Sequence, residues 1–273
     1  MDKRKRTIFL KALTLVGCFS TGIIYAAIGS IAILSFLKLK EGGADESSFF
    51  VLLDGFTAGR MLNWIIILGA VCFIIWRFYE AVKDPYQVGS GAKGILLRIG
   101  TGLSSFADAF IVLSVFQALF NQQKAPATGE PIQQRAKIEE LLEMDWGKTI
   151  VLVVGAVVML TALVLVFYGL SKRFTEALDS TKFSKWQQYI LHAIAYAGYL
   201  SRGIILGIIG FFLFKAALEK DSSNVVNTDK AFDFIGDQVG HIFYIAVAAG
   251  TICYGVYMFV LGLNYDINSD KKK

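Results

Sequence analysis

Residues 17–29 read G-C-F-S-T-G-I-I-Y-A-A-I-G, and residues 198–210 read G-Y-L-S-R-G-I-I-L-G-I-I-G. A shift of 181 positions lays Gly17, Ser20, Gly22, Ile23, Ile24, Ile28 and Gly29 onto Gly198, Ser201, Gly203, Ile204, Ile205, Ile209 and Gly210. The same shift carries Gly55, Gly59 and Gly69 onto Gly236, Gly240 and Gly250, so the match covers two successive apolar runs. A weaker middle copy lies between them. A shift of 85 sets Gly17 and Ser20 on Gly102 and Ser105, with Ala107 in the place of Gly22. A shift of 96 sets Arg77-Phe78-Tyr79-Glu80-Ala81 on Arg173-Phe174-Thr175-Glu176-Ala177, and the eleven extra residues fall in the 121–148 loop. Self-similarity at a fixed spacing is the mark of a repeat architecture. The chain reads as one two-helix hairpin written three times, over about 12–84, 97–180 and 189–265, in a single membrane domain.

Composition sets the medium. Of the 273 residues, 55% are hydrophobic and 18% charged, whereas soluble domains carry about 25% charge. The apolar residues gather in six runs: 12–37, 61–82, 99–120, 149–171, 189–218 and 241–263. Each holds about 20 or more mostly apolar residues, enough to cross a hydrocarbon layer of ~30 Å as a helix. Three prolines occur, none inside a run. The first run follows the basic stretch Met1–Arg6, as a secretory signal would. It is longer than the apolar core of about 7–15 residues that signals have, so a retained helix is expected.

Charge orients the spans. The N-terminus, the 83–98 and 172–197 loops and the C-terminal tail together hold fifteen Lys/Arg and six acidic residues; the opposite loops hold ten and fourteen. The positive-inside rule then places both termini of a multi-pass protein in the cytoplasm. The net charge of +5 reflects this topology, and no basic-aromatic patch points to nucleic acid. Because each repeat has two spans, all copies enter on the same side and are related by an axis along the membrane normal. The expected fold is an all-α integral membrane protein: six transmembrane helices as three parallel two-helix repeats around a pseudo-threefold axis.

Gly22, Ala26 and Gly29 occupy one helical face, and Gly203, Gly207 and Gly210 do the same. Small residues at that spacing let helix backbones approach closely in lipid, so a packing role is expected. Before each second helix stands a short amphipathic stretch, at 48–53, 138–143 and 230–235, of the kind that lies at an interface. The G-x-x-[SA]-R-G-I-I-x-x-x-I-G phrase, the acidic-capped outer turn and the glycine opening each second helix resemble the domain-of-unknown-function 1206 family of bacterial membrane proteins. The resemblance covers essentially the full length. It implies three tandem two-helix repeats and a membrane location, and it leaves activity open. Ser201-Arg202-Gly203 keeps the family's arginine-glycine pair, whereas Thr21 and Phe106 replace that arginine in the earlier copies.

The residues that break the repeat are the functional candidates. Asp108 stands about nine residues, or ~14 Å, into its run, where an acid costs about 2.5–3.5 kcal/mol to insert; its equivalents are Ile23 and Ile204. An intramembrane acid is a functional-site hypothesis in itself. Arg202 falls within about 3 Å of its depth, so an Asp108–Arg202 pair is expected, with Ser105 and Gln117 completing an intramembrane polar centre. Arg77 with Glu80, and Arg173 with Glu176, form i, i+3 pairs at a cytoplasmic interface, where basic side chains snorkel to headgroups. Cys18, Cys72 and Cys253 are too scattered for a metal or redox pair, and His192 and His241 are placed near opposite faces. No catalytic fingerprint is present. Ser20, Ser105 and Ser201 recur together without a nearby general base. The reading is therefore a non-enzymatic scaffold or accessory subunit, without metal or cofactor, whose partners are membrane lipids or another membrane protein. The alternative is a small-solute or ion/proton transporter using the Asp108–Arg202 centre.

Overall fold

The computed structural model describes residues 3–39, 43–54, 57–83, 91, 94–95, 98, 102, 105, 109, 129–171 and 183–265. The described residues form an all-helical protein. In chain order the helices are α1 (Lys3–Phe36), α2 (Glu46–Asp54), α3 (Thr57–Lys83), α4 (Ile132–Glu143), α5 (Gly147–Leu170), α6 (Lys185–Glu219), α7 (Thr228–Phe234) and α8 (His241–Asn264). Five of them, α1, α3, α5, α6 and α8, are long and apolar enough to cross a membrane. The run at 99–120 lies outside the described residues apart from Gly102, Ser105 and Ala109, which are helical.

Local sequence sets where these helices begin and end. Ser184 and Gln187 form a reciprocal capping box at the start of α6: the Ser184 hydroxyl accepts from Gln187 N, and the Gln187 amide oxygen accepts from Ser184 N. Those bonds satisfy two of the N–H groups that a helix start leaves bare. α6 ends at Lys220, whose φ of 52° closes the helix in the left-handed region, and Lys38 just past α1 has φ 54°. The first helices of repeats one and three thus stop by the same device. Each second helix follows a short capping helix: α2 before α3, α4 before α5, and α7 with a single π-turn (Ile235–Val239) before α8. Gly240, at φ 116°, makes the turn into α8. The short helices thus share one end of the bundle, hereafter the capped end; the opposite end is the terminal end.

The long helices pack in the order α3, α1, α8, α6, α5, each against the next. Within hairpins the same contact is made twice. Gly17 backs onto Phe73 and Gly198 onto Tyr254, while Ser20 lies over Gly69 and Ser201 over Gly250. Each pair of positions is separated by the 181-residue shift. Between hairpins, α8 meets α1 and α5 meets α6. A Cβ on Gly22 would stand 2.9 Å from Gly255 O, and one on Gly29 would stand 2.7 Å from Ala248 O. On α6, Gly203 faces Ala162 and Val166, and Gly210 faces Met159. Gly207 is different: its nearest neighbour is Ala162 Cβ at 3.7 Å, so it has room for a methyl group.

These contacts correct the register of the middle repeat. Gly22 meets Gly255 and Phe259 where Gly203 meets Ala162 and Val166, so α5 and α8 correspond at a spacing of 93 residues. The capped end agrees: Gly59 presses on Leu53 O and Gly147 on Leu141 O, 88 residues apart, and Gly240 lies 93 beyond Gly147. The shift of 96 read from Arg77–Ala81 and Arg173–Ala177 therefore misplaces the second helix by eight residues, about two turns or ~12 Å. By the packing register Leu165, buried at 3% exposure, stands level with Arg77. Helix contacts are set by where small residues fall, and the short charged match misled because it is not one of those contacts.

Candidate functional site

Arg202 lies midway along α6, with seventeen residues to either end, or ~25 Å each way. It is 3% exposed. Its guanidinium carbon sits 4.7 Å from the ring centre of Tyr25 on α1 and 4.9 Å from that of Tyr254 on α8. Its Nη1 donates to the Tyr254 hydroxyl. Each cation–π contact is worth about 0.5–2 kcal/mol and a hydrogen bond from a charged group about 1.5–3 kcal/mol. Together these are of the size of the about 2.5–3.5 kcal/mol that an arginine costs at a bilayer centre, so the tyrosines contribute to making the buried charge tolerable. Asp108 and Gln117 lie outside the described residues; Ser105 is fully buried.

Around Arg202 the interior is aromatic. Tyr25 and Tyr254 meet edge to face at 5.0 Å, Tyr254 and Tyr199 at 5.3 Å, Tyr199 and Tyr257 at 5.6 Å, and Tyr199 and Tyr168 at 5.0 Å. Five tyrosines from α1, α5, α6 and α8 thus form one continuous cluster. Sequence reasoning missed it. The available signal was the repeat itself: Tyr199, Tyr254 and Tyr257 occupy the positions of Cys18, Phe73 and Trp76, so hairpin three carries three tyrosines where hairpin one has none.

Towards the terminal end stands a second buried pair. Arg77 Nη1 donates to Glu80 Oε2 at 3.1 Å, and the side chains are only 14% and 9% exposed. Arg77 also lies over the Phe73 ring at 5.6 Å, and the Tyr265 hydroxyl donates to Glu80 Oε1 at 3.4 Å. The expected snorkelling to headgroups is replaced by packing inside the bundle, because α8 runs far enough to bring Tyr265 over the acid. Arg173 and Glu176 lie outside the described residues. Close by, Arg98 donates to Ala81 O and Val82 O at 2.8 Å each, capping the last turn of α3.

The capped end holds a third polar set, just ahead of the amphipathic stretches at 48–53 and 230–235, whose residues the sequence reading did not single out. Asp45, Glu46, Asn227, Thr228 and Asp229 are all buried. The Thr228 hydroxyl donates to Glu46, and Ala44 N donates to Asp229 Oδ1, so hairpins one and three each supply an acid to the other. Asn227 Nδ2 donates to Gly129 O at 2.8 Å, bringing in the middle repeat. Gly129, at φ 70°, is wedged between Gly43 and Asp229. Lys230 bridges Glu130 at 3.0 Å and Asp233 at 3.1 Å, and Arg135 holds Glu130 at 2.9 Å. Burial pushes Glu46 up to about 7, with Asp45 adding to the shift. Asp229 is pushed up to about 6, again chiefly by burial. The Lys230 hydrogen bond instead holds Glu130 below the usual carboxylate range.

Apolar spans, glycine-lined contacts and polar side chains folded inward are those of a polytopic helical membrane protein. The chain belongs to the family described as Domain of Unknown Function (DUF1206), which matches residues 16–84 and 197–264. The two matched stretches begin 181 residues apart, the same shift that relates hairpins one and three. The chain is also similar to the "Uncharacterized protein YxxB" of Bacillus subtilis (strain 168), 24% identical over 272 residues that cover 98% of this chain and 96% of that one. No solved structure matches.

Proposed function

We propose that this protein is a non-enzymatic scaffold or accessory subunit of the bacterial inner membrane, holding lipid or another membrane protein against its outer surface. The observation that carries this reading is the filled interior: Tyr199, Tyr254 and Tyr257 are fully buried and Arg202 is clamped between two rings. Side chains committed to one another hold a bundle rigid and leave its perimeter as the working surface. That perimeter is apolar, with Ile65, Leu68, Leu163 and Phe243 turned outward. Trp146 at the capped end and the stacked Trp186–Tyr189 pair at the terminal end are exposed, matching the aromatic belts that mark membrane interfaces.

The six-helix, pseudo-threefold arrangement belongs to the same proposal. Its support is cyclic: α5 packs on α6 and α8 on α1, each a second helix against the next first helix. Arg98 and Gly102, at the start of the 99–120 run, lie against Ala81 at the end of α3. With both termini cytoplasmic, reporters fused to residues 1 and 273 will read the same, inner side; opposite readings overturn the topology. Native mass spectrometry of the protein extracted from its own membrane will show retained lipid or a protein partner, and a bare, lipid-free species overturns the scaffold reading.

A second reading, ion or small-solute translocation through an Asp108–Arg202 centre, is favoured by the mid-span burial of Arg202. Flux through reconstituted vesicles that Asp108→Asn abolishes would establish it over the first.

A further inference from the structure

Among the described residues, several of the bonds that join the three hairpins at the capped end run through acids. Ala44 N to Asp229 and Thr228 to Glu46 link hairpins one and three in both directions. The Asn227 amide on Gly129 O and the Lys230–Glu130 bridge attach hairpin two. The groups facing Glu46 are Asp45, Thr228 and, from below, Arg202. Those facing Asp229 are the Ala44 N–H, Asp233, Asp45 and Lys230, with Tyr244 of α8 alongside. Asp45, Glu46 and Asp229 bring three carboxyls into one buried junction. Lys230 is already engaged by Glu130 and Asp233, and Arg135 by Glu130. Arg202 offsets part of the charge at Glu46, yet the net effect there is still upward, so ionising all three acids places like charges close together where water screens them weakly.

We propose that this three-hairpin junction is a proton-operated latch, closed while Glu46 and Asp229 hold protons and loosened when both ionise. The direction follows from linkage. A carboxyl whose pKa is raised in the closed state binds more protons there than in the open state. Closure is therefore favoured at acid pH, weakens as pH rises above the ordinary carboxylate range, and has lost this support once pH passes about 7, the Glu46 value. The junction faces the outer side in the proposed topology, so the latch would report external acidity to the bundle. His241, also at the capped end, packs edge-on against Phe36 at 5.3 Å.

The test is hydrogen exchange of the full chain in lipid nanodiscs, read on peptides covering residues 43–50 and 225–234 and scaled for intrinsic exchange. Wild-type protection is expected to fall at least about tenfold between about pH 5.5 and about pH 7.5, the change that one unit of pKa shift produces. Glu46→Gln with Asp229→Asn should hold the acid-pH protection across the range while leaving His241 in place. An unchanged pH dependence in that variant overturns the proposal. Thr228→Val supplies an independent arm. It removes the hydroxyl that favours ionised Glu46, so the transition must move to higher pH; a transition that stays put removes Glu46 from the latch.

Discussion

At the scale of single residues, the glycines divide into those whose missing side chain is required and those where it is not. Gly29 lies 2.7 Å, at its virtual Cβ, from a backbone oxygen of α8, and a helix backbone cannot move aside for a methyl. Gly29→Ala is expected to cost about 1–3 kcal/mol through overpacking, read as a lowered thermal unfolding midpoint in detergent. Gly207→Ala, with 3.7 Å to its neighbour, should leave that midpoint unchanged or raise it. Both glycines belong to the same small-residue pattern, and the sequence alone gave no means of separating them. Lys220 is the converse case, a side-chain-bearing residue in the left-handed region. Lys220→Gly should stabilise by about 0.5–1 kcal/mol by relieving that strain, measurable in the same assay.

At the scale of elements, helix existence was legible and helix register was not. The apolar runs at 61–82, 149–171 and 241–263 reappear as α3, α5 and α8, because crossing the bilayer demands an unbroken apolar helix. The register of α5 depended on Ala162, Val166 and Met159 meeting the glycines of α6. Those residues carry no conspicuous sequence signal, whereas the charged match eight residues away does. The Arg202 clamp is likewise a relation between elements. Tyr254→Phe removes the hydroxyl that accepts from Arg202 and leaves a charged donor without it. A loss of about 1.5–3 kcal/mol is expected, read as a lowered unfolding midpoint. Unchanged stability in Tyr254→Phe would mean that the rings rather than the hydroxyl hold the guanidinium.

At the scale of the whole molecule, the hairpins are held together by two different chemistries. Along the spans it is close packing of small residues; at the capped end it is a polar junction centred on Gly129. Gly129→Ala adds a Cβ against Asp229 and Gly43 and forces a non-glycine residue to φ 70°. About 1–3 kcal/mol of destabilisation is expected, seen as a lower unfolding midpoint with helical circular dichroism retained. A midpoint equal to wild type would show that the junction contributes nothing to holding the hairpins together.

The sequence by itself determined the membrane class, the hairpin repeat and the glycine faces, because those follow from helix length, hydropathy and periodicity, which are local properties. Tertiary structure alone decided the register of α5, the inward turn of Arg77 and Glu80, and the tyrosine setting of Arg202. It also decided the joining of three loops through Asp229, Glu46 and Gly129. Each of these depends on which side chains distant parts of the chain bring into one buried space. Burial and partner together set whether a charge is an anchor, a strut or a titrating group.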